Sequence, residues 1–150
     1  MPAARRRPMM GADTDDEGVD MGLAENRKIK ELQEVTLPER EAEIAEICGV
    51  AIPYEVDWAS FDGDLEGLSF MDNLSCHRLN MALRVICVDD LGREAVAGTL
   101  KVIRLKNVPK EQMRLAFGDD GSLEMHCAYA LRTDGMWSDD EIRTELMAHL

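Results

Sequence analysis

Between Ile52 and Trp58 the chain alternates strictly: Ile52, Tyr54, Val56 and Trp58 are apolar or aromatic, and Pro53, Glu55 and Asp57 stand between them. Successive strand side chains leave on opposite sides, so this period of two predicts a strand with one buried face. Pro53 has no N–H to give a ladder, which puts the strand at a sheet edge or puts that residue at its start. The same period returns later in the chain. In KVIRLKNV, Ile103 and Leu105 oppose Val102, Arg104 and Lys106; QMRLAF points Met113, Leu115 and Phe117 inward. LEMHCAY points Leu123, Met125, Cys127 and Tyr129 inward, with Glu124 and His126 outward. GDDG, Gly118 to Gly121, is a hairpin signal between the last two runs. Three successive strands of this kind predict an antiparallel meander.

Elsewhere the spacing suits helices. LAENRKIKELQEV, from Leu23, is rich in helix formers but carries a thin apolar stripe of Ile29, Leu32 and Val35. TLPE, Thr36 to Glu39, reads as a capping box that starts a second helix, with Pro38 tolerated in its first turn. That helix buries Leu37, Ile44, Ile47 and Cys48, and Gly49 stops it. DNLSCHRLNMALRVIC, Asp72 to Cys87, alternates in part, as a strand would. Its apolar-rich run begins at Leu68 and continues for about twenty residues without a turn signal, longer than most strands, so a helix is predicted. REAVAGTL adds a shorter helix, and SDDE, Ser138 to Glu141, is a capping box before a helix striped by Ile142, Leu146 and Leu150. The order ααβα(α)βββα predicts an α+β fold, an antiparallel sheet of about four strands with helices on one face.

Residues 1–22 lack hydrophobic periodicity and predict a disordered leader, basic and then acidic, ahead of a single domain over residues 23–150. Basic residues open the leader but no apolar core follows them, so export is not expected. With 150 residues and 45% apolar content, the chain can build one real core. Its charge of −13 is not a tail effect, since residues 1–22 hold three Arg and five Asp or Glu. Such a balance speaks against nucleic acid as partner, because phosphate contacts need clustered Lys and Arg, and it suits a basic protein. No apolar run approaches membrane-spanning length, so no membrane association is expected. Cys48, Cys76, Cys87 and Cys127 are widely spaced among apolar residues, which fits free thiols in a reducing cytoplasm.

Candidate chemistry concentrates in Asp72–Cys87. On a helical wheel Asn73, His77, Asn80 and Arg84 fall within an arc of about 60°, on a helix otherwise largely apolar. Exposed faces elsewhere use Glu, Lys and Gln, whereas Asn competes with the helix backbone for hydrogen bonds. The row therefore reads as a solvent edge, an internal hydrogen-bond network, an interface or a ligand-facing groove. Zinc is disfavoured, because Cys76 and His77 diverge on a helix while His126 and Cys127 face opposite sides of a strand. The paired acids read as turns and helix starts, GDDG lacks the further oxygen ligands a calcium loop supplies, and nucleotide, metalloprotease and hydrolase motifs are absent. No cofactor is expected. Arg104, Lys106, Arg114, Glu124 and His126 form a mixed, locally basic outer sheet face that suits an anion or simply solvent. The expectation is a small, acidic, non-enzymatic protein-binding module of adaptor or inhibitor type. Its rival is a small-molecule binder or enzyme with a pocket between the long helix and the sheet, using His77 as acid or base and Arg84 as anion anchor. A third reading makes the row a homodimer contact.

Overall fold

The structure, a computed structural model, describes residues 13–150. Helix α1 (Asp13–Glu31) passes through a π-helical turn, Leu32–Thr36, directly into α2 (Leu37–Cys48). The capping box expected at Thr36 is not made. Thr36 is itself helical, with φ −66° and ψ −53°, and its side chain caps nothing. Pro38 explains the form of the join. A proline inside a helix removes one hydrogen bond and crowds the carbonyl four residues back, and a wider turn just before it relieves both. The Leu37 N–H accordingly reaches five residues back to Leu32 O. The disordered leader expected over residues 1–22 lies outside the described residues up to position 12, and from Asp13 the backbone is helical.

Gly49 ends α2 as expected, in the left-handed region at φ 74°, with its N–H on Ala45 O at 2.9 Å. Strand β1 (Tyr54–Val56) and a 3-10 turn, Trp58–Phe61, lead to α3 (Leu65–Met71). A second π turn, Asp72–Cys76, joins α3 to α4 (His77–Ile86), so the ambiguous stretch is helical throughout. Helix α5 (Asp90–Thr99) starts hard against the end of α4, with the Asp89 carboxylate accepting from Gly92 N–H at 2.8 Å. A Cβ on Gly92 would stand 1.8 Å from Ile86 O, so the tight α4–α5 corner admits no side chain there. Strands β2 (Val102–Asn107), β3 (Arg114–Phe117) and β4 (Ser122–Cys127) follow, then a 3-10 segment, Tyr129–Gly135, and α6 (Asp139–Met147). The capping box at Ser138–Glu141 is complete.

The fold mixes helix and sheet as expected, but the sheet is mixed rather than antiparallel. Its order is β1-β2-β4-β3, with β1 on β2 and β2 on β4 parallel and only β3 on β4 antiparallel. The hairpin at Gly118–Gly121 forms, yet the three late strands are not a meander. Residues between β2 and β3 include a 3-10 turn, Lys110–Gln112, and the chain steps past one strand position instead of turning tightly. Strand β4 then folds back into that space and pairs with β2 from Val102↔Ser122 to Asn107↔Cys127. Parallel neighbours need a crossover, which α3, α4 and α5 supply between β1 and β2. One face of the sheet is packed against the helices. Ile103, Leu105, Leu123 and Met125 are buried there with Tyr54, and Ile44, Leu68, Leu79, Leu83, Ile142 and Leu146 meet them from the helices. Glu55, Arg104, Lys106, Glu124 and His126 point from the other face. Val102, expected on that wet face, is 9% exposed.

Candidate functional site

The four residues of the polar row do not act together. Asn73 and Arg84 are exposed and His77 is half-buried, while Asn80 is 2% exposed. Two features of the chain separate them. The π turn puts an extra residue between Asn73 and the rest, shifting Asn73 around the axis relative to an ideal wheel. Helix α2 then packs over the edge of α4 that carries Asn80, leaving His77 and Arg84 beyond it.

Asn80 joins a network that sequence spacing did not reveal. Its Oδ1 accepts from the Tyr54 hydroxyl at 2.8 Å, and its Nδ2 donates to Glu43 Oε1 at 2.7 Å and to Arg40 O at 3.2 Å. The Arg40 guanidinium donates twice to Asp72, at 2.7 and 2.9 Å, and once to Glu43 at 3.1 Å. Glu41 accepts the Tyr54 backbone N–H at 2.8 Å. The network thus ties α2 to the π turn, to α4 and to β1. Burial alone would raise the Glu43 carboxyl, but hydrogen bonds from Asn80 and Arg40 outweigh it and hold the group below its usual range. The Arg40 guanidinium is held charged, chiefly by its hydrogen bond to Asp72. Every polar atom of this cluster that faces inward has a protein partner, which is the arrangement of a structural joint.

A different surface has the form of a binding site. Met81 and Val85 stand at i and i+4 on the outer side of α4, and Val88, in the turn after it, is 75% exposed. Leu91, in the first turn of α5, is 77% exposed, and Met147 and Leu150 at the end of α6 are also exposed. This side of the largely apolar helix therefore faces solvent and not the core. Between the three helices runs a groove of about 570 Å³ walled by Val85, Ile86, Leu91, Ala95, Met147 and Leu150, with Asp89 and Arg143 at its polar positions. Gly92 also lines it, with its backbone packed close against Ile86 O. Isolated exposed apolar residues are common on soluble proteins, whereas a set lining one concavity is a candidate interaction surface. The two arginines beside it are engaged within their own helices, Arg93 with Asp90 and Arg143 with Asp140. Asp89 and Glu94 remain exposed.

The open sheet face carries two cross-strand rows. Glu55, Arg104 and Glu124 lie side by side in one; Lys106, His126 and Arg114 lie side by side in the next. Arg104 bridges Glu55 at 3.2 Å and Asp120 at 3.3 Å, and His126 Nε2 meets Glu124 at 3.2 Å. Partial burial, with Lys106 and Arg114 alongside, lowers the His126 pKa despite Glu124. The first row alternates in sign and the second is basic, with His126 and Arg114 joined to Glu124 of the first at 3.2 and 4.0 Å. Among the described residues no three His, Cys, Asp or Glu side chains come together as a metal site would require, and no helix is long and apolar enough to cross a membrane. No protein-family model, curated protein or solved structure matches the chain.

Proposed function

We propose that the protein is a small binding module that works by docking a basic, amphipathic segment of another protein into the α4–α5–α6 groove, in a reducing compartment such as the cytoplasm. The observation that carries this reading is the clustering of exposed Val85, Leu91, Met147 and Leu150 around one concavity. Helix-in-groove recognition uses such a surface, with apolar anchors at i, i+3, i+4 and i+7 entering between helices. Charge selects the occupant. The chain carries −13 overall, and the cations nearest the groove are already paired, so a lysine- or arginine-rich helix is attracted where an acidic one is repelled. Neither His77 nor Arg84 lines the groove, and Asn80 is committed inside the protein, so binding rather than acid–base chemistry is the reading this surface favours.

An amphipathic peptide with leucines at i, i+3, i+4 and i+7 and lysines elsewhere is the probe, followed by fluorescence anisotropy. The expected result is saturable binding that weakens with salt and falls at least about tenfold, about 1.4 kcal/mol, in Leu91→Glu. Leu91 is 77% exposed, so the variant is expected to melt like the wild type. An otherwise identical glutamate peptide is expected not to bind. Equal binding of both peptides, or indifference to Leu91→Glu, would overturn the reading. So would a wild-type dimer that Leu91→Glu dissociates in light scattering, since a second copy would then be the occupant.

A further inference from the structure

Cys48 closes α2 and Cys87 caps the end of α4, and they lie 39 positions apart in sequence. The fold brings their side chains together, with Sγ–Sγ at 2.9 Å and both residues buried. A disulfide has S–S near 2.05 Å, so bond formation requires the sulfurs to close by only about 0.9 Å. Both residues sit at helix ends, where the chain leaves the helix. Gly49 follows one, and the loop into α5 follows the other. The Arg93 guanidinium stands over this pair, donating to Cys87 O at 3.1 Å. Cys76 and Cys127 are as deeply buried but have no thiol facing them.

We propose that Cys48 and Cys87 form a thiol pair that hydrogen peroxide oxidises to an intramolecular disulfide, locking the end of the long α1–α2 rod to the α4–α5 corner. Burial pushes both thiols up, so the thiolate is scarce and the reaction slow, while Arg93, hydrogen-bonded to Cys87 O, favours the Cys87 thiolate. Cys87 is therefore the attacking sulfur. Its thiolate attacks one peroxide oxygen, the O–O bond breaks, and the departing hydroxide takes a proton to become water. The Cys87 sulfenic acid that results is attacked by the Cys48 sulfur; the S–S bond forms, the S–O bond breaks, and a second water leaves. Two thiols lose one electron each, and the two peroxide oxygens gain them. This pair stands independently of any groove occupant, although Ile86 and Asp89 beside Cys87 belong to the groove wall.

The test treats the folded full-length chain with hydrogen peroxide. Free thiols are expected to fall from four to two, with a loss of about 2 Da and a proteolytic peptide linking Cys48 to Cys87. A loop of this length predicts a rise in Tm of about 10 °C, reversed by dithiothreitol. Cys48→Ser and Cys87→Ser should each abolish the mass loss and the rise, and Cys76→Ser should keep both. If a variant does not fold, the linked peptide from wild type still decides. Four thiols persisting, sulfinic acids instead of a linkage, or cross-links through Cys76, Cys127 or a second molecule would overturn the proposal.

Discussion

The Asn80 amide gives its oxygen to the Tyr54 hydroxyl and its nitrogen to Glu43 and the Arg40 carbonyl, so replacing it strands groups on two other elements. Asn80→Leu keeps the volume but leaves the Tyr54 hydroxyl with only Cys76 O at 3.4 Å, and removes a donor from Glu43. A buried polar group without a partner costs about 1–3 kcal/mol, so a loss of about 2–3 kcal/mol is expected in urea unfolding. Asn80→Asp should cost more at pH 7, because it sets a second carboxylate where Nδ2 met Glu43. Its deficit relative to Asn80→Leu should shrink toward pH 5 as one of the two carboxyls takes a proton. Equal stability of the two variants at pH 7 would show that the amide is not the centre of this network. The chain made Asn80 conspicuous because asparagine is a poor helix former on an apolar helix. Its partners were not legible, since Arg40, Glu43 and Tyr54 lie 26 to 40 positions away and only the packing of α2 on α4 brings them close.

Two Ser/Thr-x-x-Glu patterns, identical in kind, met different ends at the level of elements. At Ser138 the chain enters α6 from extended backbone, φ −73° and ψ 160°, so the first N–H groups need partners. The Ser138 Oγ accepts from Glu141 N–H at 3.1 Å, and Glu141 Oε1 accepts from Ser138 N–H at 3.0 Å. At Thr36 the backbone is already helical and no helix starts, so nothing waits to be capped. Ser138→Ala should therefore cost about 1 kcal/mol, while Thr36→Ala should stay within about 0.5 kcal/mol. A comparable loss at both positions, by thermal or urea melts, would mean the α1–α2 rod breaks at Thr36 in solution. Periodicity made the helices, the strands and the 118–121 hairpin readable, because each depends on residues close in sequence. It could not give strand order. Alternation states which face of β4 is buried, and Leu123 and Met125 face the same core whether β4 lies beside β3 alone or between β3 and β2.

For the whole molecule, acid brings two opposing effects. His126 is lowered from its usual 6.5, mainly by burial, so the folded state resists its protonation and stability falls as the pH drops below about 6.5. Glu43 is lowered from 4.5; its contribution is full above that value and is lost as the pH falls through the lower folded one. Against both stands the net charge of −13, whose self-repulsion eases as carboxylates protonate toward a pI near 4.6. Salt separates the two, because it screens repulsion between exposed charges beyond about 10 Å at 0.1 M but scarcely touches the partly buried Glu43–Asn80–Arg40 contacts. At about 0.5 M salt, Tm should hold down to about pH 6.5 and decline below it toward pH 4. At about 0.02 M the same descent should be flat or pass through a maximum, and the low-salt protein should melt a few degrees lower at pH 7. Parallel profiles at the two salt concentrations would mean that the acidic surface does not strain the fold, and that its excess charge is free to act on a partner alone.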